Sequence, residues 1–159
     1  EYYKKYPGQF EQFTPVCTEV EMSKADRSEL INAYDNTILY TDYMIYTVIE
    51  ELRSLPEDMR CCMIFVSDHG ESLGEGDIYM HGLPMDMAPR EQYEIPFLVW
   101  NSDPQTRVKS YDSVGQYHIF HSVMSYLGVT SPIFNEDKNI FTYEEPSTAE
   151  QNTDEEVTY

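Results

Sequence analysis

Positive charge is scarce in this chain. It carries 10 lysines and arginines against 29 aspartates and glutamates, a net charge of -19. That balance excludes a nucleic-acid partner and makes anionic lipid repulsive at long range. No stretch approaches the roughly 20 apolar residues of a membrane span, so no transmembrane helix is expected. Cysteine is scarce too: three residues in 159, an odd number that gives no argument for a disulfide framework. Two of them, Cys61 and Cys62, are adjacent. Neighbours on a strand face opposite ways, which disfavours a bond between them and sends at least one into the core. No secretory leader opens the chain, and Glu1 in place of Met reads as a partial or processed polypeptide.

What is present suffices for one globular domain. Apolar residues make up 41% and aromatics 14%, enough to bury a core. Residues 1–22 hold aromatics among Lys, Pro and Gly and read as an irregular, partly packed loop. Asp26 or Ser23 caps an expected helix running to about Leu55. Its apolar series is Leu30, Ile31, Tyr34, Ile38, Met44, Ile45, Val48, Ile49 and Leu52. Cys61–Val66 is a continuous apolar run and reads as a buried strand of the parallel-sheet kind. A second run, Ile95–Trp100, has Pro96 at its start. Between them, Gly70–Pro89 is too long for a plain connection. A last helix is expected over Ser113–Leu127, stopped by Gly128, with Ile119, Phe120, Val123, Met124 and Leu127 on its apolar face. On it His121 reads as a core histidine and His118 as a surface one. Helix, strand, loop, strand, helix is the order of one edge of an α/β sandwich. Beyond it, residues 142–159 are acidic, lack any basic residue and read as a flexible tail on a domain of residues 1–141.

The chemistry concentrates where the first strand ends, at Ser67-Asp68-His69-Gly70-Glu71. Sites in α/β sheets form beyond the carboxyl ends of strands. Asp68 and His69 are suitable ligands for a divalent metal such as zinc, although a solvated loop pair is the alternative. Gly70 lets the backbone turn and approach a bound group. One loop later His81-Gly82-Leu83-Pro84 adds a second histidine, either a third ligand or a donor to a substrate oxygen. Glu71 and Glu75 are candidates to orient His69 or are simply solvated.

The string Val66-Ser67-Asp68-His69-Gly70-Glu71-Ser72-Leu73-Gly74-Glu75, followed by Tyr79-Met80-His81-Gly82-Leu83-Pro84, resembles the lipid A phosphoethanolamine transferases of the alkaline-phosphatase superfamily. Tyr2-Tyr3-Lys4-Lys5-Tyr6-Pro7, Phe13-Thr14-Pro15-Val16-Cys17, Tyr34-Asp35-Asn36-Thr37-Ile38, Ile95–Trp100 and Phe120–Val123 agree in order, so the resemblance covers about residues 2–130. It implies the C-terminal portion of an alkaline-phosphatase-like α/β/α sandwich. It implies that Asp68 and His69 are paired zinc ligands and that His81 is a catalytic residue near the transferred phosphate. The threonine nucleophile and a glutamate ligand would lie upstream, in the other half of the same polypeptide. The donor would be phosphatidylethanolamine and the acceptor a lipid A phosphate, at a periplasmic domain anchored in the inner membrane by N-terminal helices. A sulfatase or phosphoglycerol transferase, or a catalytically inert domain of the same fold, are the competing readings. Cys17 falls at a position that family members use in a disulfide, but Ala25 stands at the partner position, so that bridge cannot form.

Overall fold

The computed structural model describes residues 5–19 and 21–144. Most of the acidic tail, 145–159, lies outside the described residues, as do Tyr2, Tyr3 and Lys4. The chain divides into two compact units, residues 1–102 and 103–159.

In the first unit a long helix, α1 (Arg27–Arg53), starts at the expected cap: the Asp26 carboxylate accepts from the Ser28 amide at 2.8 Å. That bond satisfies one of the donors left open at a helix start. Leu30, Ala33 and Asn36 are its buried residues. Asn36 saturates its amide. Its Oδ1 accepts from the amides of Gln12 and Phe13, and its Nδ2 donates to Phe13 O at 2.9 Å and to the Tyr6 hydroxyl. The N-terminal aromatic segment is thereby tied to the helix, with Phe10 packed on Tyr40 and Tyr43. The rest of the apolar series departs from expectation. Ile38, Met44 and Val48 are exposed, as are Tyr43 and Tyr46, so the helix buries only its first third within this chain.

Strand β1 (Cys62–Val66) pairs with β4 (Phe97–Asn101) in antiparallel register, Ile64 opposite Val99. The parallel reading is corrected, and every β1 residue is half-buried. A parallel pair needs a crossover, normally a helix. The connection here holds instead a hairpin of β2 (Ser72–Glu75) and β3 (Ile78–Met80) with a short 3-10 turn, Arg90–Gln92. Pro96 sits one residue before β4, where its missing N–H costs no ladder bond. Cys61 is buried and Cys62 half-buried, and Cys17, Cys61 and Cys62 are all free thiols. Burial pushes the Cys62 thiol up to about 11.

In the second unit β5 (Thr106–Val108) pairs with β6 (Phe141–Tyr143). Thr142 and Tyr143, counted with the tail in the sequence, are therefore strand residues. The last helix is shorter than expected: a 3-10 turn, Gln116–His118, leads into α2 (Ile119–Tyr126). Its expected inner face holds only in part: Phe120, Val123 and Leu127 are exposed and Ile119 and Met124 half-buried, while Ser122 and, as expected, His121 are buried. Hydrogen bonding selects that face. Ser122 Oγ donates to His118 O and accepts from the Ile140 amide, and His121 Nδ1 accepts from the Asn135 amide. His118 is buried rather than superficial, with its ring against Tyr111 and Tyr117 and its Nδ1 accepting from the Gly115 amide.

Candidate functional site

Strand β1 delivers the chain into the loop 67–71, which short local bonds shape. Ser67 Oγ donates to His69 O at 2.7 Å, and Asp68 Oδ1 accepts from the His69 amide at 3.1 Å. Gly70 is required here by close backbone packing. Its amide donates to Gln92 O, and a Cβ at this position would lie 2.0 Å from the Glu91 carbonyl oxygen. The glycine admits the backbone of the 3-10 turn.

The hairpin brings the second histidine back. Gly76 and Asp77 have φ of 59° and 63°, both left-handed, as a two-residue type I′ hairpin turn requires. Glu71 just before β2 and His81 just after β3 therefore return to the same end. His81 Nδ1 lies 3.1 Å from Glu71 Oε2, and its ring stacks on His69 with centroids 3.7 Å apart. One ligand atom from each of His69, Glu71 and His81 falls within a 4.8 Å group. On the other side of His69, its Nε2 is 3.8 Å from Asp68 Oδ2. The hairpin thus joins His81 to His69 and to Glu71, which bonds His81 and not His69. Asp68 meets the group at His69, and its side chain is 89% exposed. Glu75 serves elsewhere, paired with Arg27 at 2.8 Å.

Two tautomers follow from these partners. A carbonyl or carboxylate only accepts, so His69 Nδ1 donates to Gly70 O at 2.8 Å and His81 Nδ1 donates to Glu71. A neutral ring held this way has Nε2 bare, the form in which histidine ligates a metal with its other nitrogen held by an acceptor. Two donors on one tetrahedral zinc, each about 2 Å away, sit about 3.3 Å apart. The Asp68–His69 separation needs only a small side-chain adjustment to meet that, and the nitrogen-and-oxygen donor set suits zinc. The residues present fit part of such a centre. A cavity of about 360 Å³ opens beside it, lined by Leu30, Ala33 and Tyr34 of α1 and by Leu73, Met80 and His81 of the hairpin, with Glu71 at its wall. Burial, then the charges of Glu71 and Asp35, raise the Tyr34 hydroxyl above its ordinary value.

With this geometry in place, similarity to known proteins becomes informative. The sequence model of the sulfatase family matches residues 1–129, and the chain belongs to that family. Its fold is the α/β fold of the alkaline-phosphatase-like domains in that group. The relatives are more specific. Phosphoethanolamine transferase EptA of Helicobacter pylori is 42% identical over 127 residues, covering 77% of this chain and 24% of the relative. Phosphatidylethanolamine transferase Mcr-1 of Escherichia coli is 45% identical over 107 residues, 67% of this chain and 20% of the relative. The crystal structure of the C-terminal periplasmic domain of phosphoethanolamine transferase EptC from Campylobacter jejuni superposes with a TM-score of 0.78. It is 37% identical and covers 87% of this chain and 46% of that one. The resemblance to phosphoethanolamine transferases is thus established, and it falls on their C-terminal part. The chain spans about a quarter of the length of the curated relatives it matches. Among the described residues no helix is long and apolar enough to cross a membrane.

Proposed function

We propose that this chain supplies the C-terminal part of an enzyme that moves phosphoethanolamine from phosphatidylethanolamine to a lipid A-type phosphate. The observation that carries the reading is the convergence of His69, Glu71 and His81 at one hairpin mouth, with Asp68 3.8 Å from His69, in a chain similar to phosphoethanolamine transferases. In this reading the work occurs at a periplasmic domain anchored in the inner membrane through a part of the polypeptide outside this chain.

Asp68 and His69 hold a zinc ion together with ligands from the rest of the polypeptide. Zinc there supplies Lewis-acid stabilisation of charge on the phosphate oxygens. A threonine hydroxyl, also outside this chain, attacks phosphorus: the Thr O–P bond forms and the bond to the diacylglycerol oxygen breaks. The acceptor phosphate then takes the group from threonine. Glu71 fixes the His81 ring through Nδ1 and leaves Nε2 bare, as the atom available to take up the proton that the threonine hydroxyl loses and pass it to the departing diacylglycerol oxygen.

The test is transfer from phosphatidylethanolamine vesicles to lipid A, read by mass spectrometry with the complete polypeptide. Asp68→Ala and His69→Ala should each lower the rate by at least about 100-fold, and His81→Gln by about 10²–10⁴-fold. Full activity in Asp68→Ala and His69→Ala would reject the metal assignment. Cleavage of sulfate esters in place of transfer would reject the substrate class.

A further inference from the structure

The hairpin that carries Glu71 and His81 is attached to α1 at its far end by one side chain. Arg27, the first residue of α1, donates from Nε to Leu73 O at 3.0 Å and from Nη2 to Glu75 Oε1 at 2.8 Å. Glu75 closes the arrangement by accepting from the Leu73 amide at 2.7 Å through its other oxygen. The intervening residue is shaped for this contact. Gly74 has φ +107°, and a Cβ there would come within 3.1 Å of both Arg27 Nε and Tyr79 Oη. Burial alone would raise the Glu75 carboxyl. Backbone bonds at Glu75 and Leu73 and the Arg27 guanidinium outweigh it and leave the group below its ordinary value.

Arg27 and Glu75 are partly exposed, and an exposed ion pair contributes little to stability. The forked contact to a carboxylate and a backbone carbonyl is instead a geometric constraint. Register carries it along the hairpin: Glu75 opposes Ile78, Leu73 opposes Tyr79, and Ser72 opposes Met80. The residues just outside the last pair are Glu71 and His81. Met80 itself sits at φ +66°, an uncommon conformation for a bulky side chain, immediately before His81. The direction of His81 is thus set by the placement of the hairpin against α1. The same placement sets the cavity between them, whose walls are Leu30, Ala33 and Tyr34 on one side and Leu73 and Met80 on the other.

We infer that Arg27 is a positioning residue, holding the β2–β3 hairpin on α1 so that His81, fixed by Glu71, stays stacked on His69 at the reacting phosphate. The inference rests on the functional reading of the site given above. It is tested in the complete polypeptide with Arg27→Ala, Arg27→Lys and Glu75→Gln. The readouts are steady-state transfer from phosphatidylethanolamine vesicles, thermal melting, and imidazole NMR of labelled histidine with His81 assigned through His81→Gln. Arg27→Ala should lower kcat about ten-fold with KM unchanged, because sub-ångström to ångström misplacement of a catalytic group has effects of that order. It should also move the His81 resonances, and Arg27→Lys should restore part of both. Placed on His81→Gln, the Arg27→Ala change should cost less than about two-fold, because the two act through one group. An unmoved His81 resonance overturns the inference. So do losses that multiply in the double variant, or a lower melting temperature with kcat per folded enzyme unchanged. If the wild-type protein transfers no phosphoethanolamine, the functional reading fails instead, and the His81 resonances still decide whether Arg27 sets the ring.

Discussion

Single side chains in this protein are placed by acceptors that leave no choice of role. The Gly70 carbonyl at His69 and the Glu71 carboxylate at His81 each fix a tautomer, and both rings present the same nitrogen. Asn36 shows the same economy away from the site. All of its donors and acceptors are spent on the segment from Tyr6 to Phe13, and its side chain is fully buried. Asn36→Ala should therefore strand backbone groups without partners and cost about 1–3 kcal/mol, measured by urea denaturation. Asp26 gives a pH signature. Its carboxyl is held below the ordinary value of 3.8 by the Ser28 hydroxyl and amide. A depressed folded-state value means the contribution is complete above 3.8 and is lost as pH falls through the lower folded value. The melting-temperature difference between wild type and Asp26→Ala should accordingly hold from pH 7 to about pH 5 and shrink below 3.8.

At the scale of elements, the loop 67–71 and the turn Arg90–Gln92 form one unit that meets at Gly70. Gly70→Ala forces a Cβ against the Glu91 carbonyl and should cost about 1–3 kcal/mol in stability. It should also reduce zinc retention after dialysis, since Asp68 and His69 directly precede the displaced residue. Much of this was legible in the sequence. The α1 cap, the two apolar strands and the Asp68–His69 pair at a strand exit all stand where composition and spacing put them. The hairpin was not foreseen, because Ser72–Glu75 and Ile78–Met80 are too short for alternation to register and their glycines read as loop. One signal was available: Gly76-Asp77 is a two-residue turn pair of the type I′ kind, which pairs Glu75 with Ile78 and so returns His81 to Glu71. Strand direction and the buried face of α2 were illegible for a different reason. The first depends on what the connection contains, and the second on Ser122 finding a distant backbone partner, although His121 was read correctly as a core residue.

For the whole molecule, the exposed apolar residues of α1 are the telling feature. Ile38, Tyr43, Met44, Tyr46 and Val48 face outward on a helix of 27 residues. So many large apolar side chains exposed around one helix mark a surface that the rest of the polypeptide covers. The 159-residue chain by itself should bind an apolar-surface dye strongly, and the complete periplasmic domain without its membrane anchor should bind it weakly, read by fluorescence at equal concentration. The site follows the same logic, since the two proposed ligands, Asp68 and His69, would be half of a zinc centre. The most direct measurement is anomalous diffraction at the zinc edge from crystals of the complete polypeptide. The account predicts one peak about 2.0–2.2 Å from an Asp68 carboxylate oxygen and from His69 Nε2, with His81 and Glu71 flanking it. A peak held by other residues, with Asp68 and His69 remote from any ion, would contradict it.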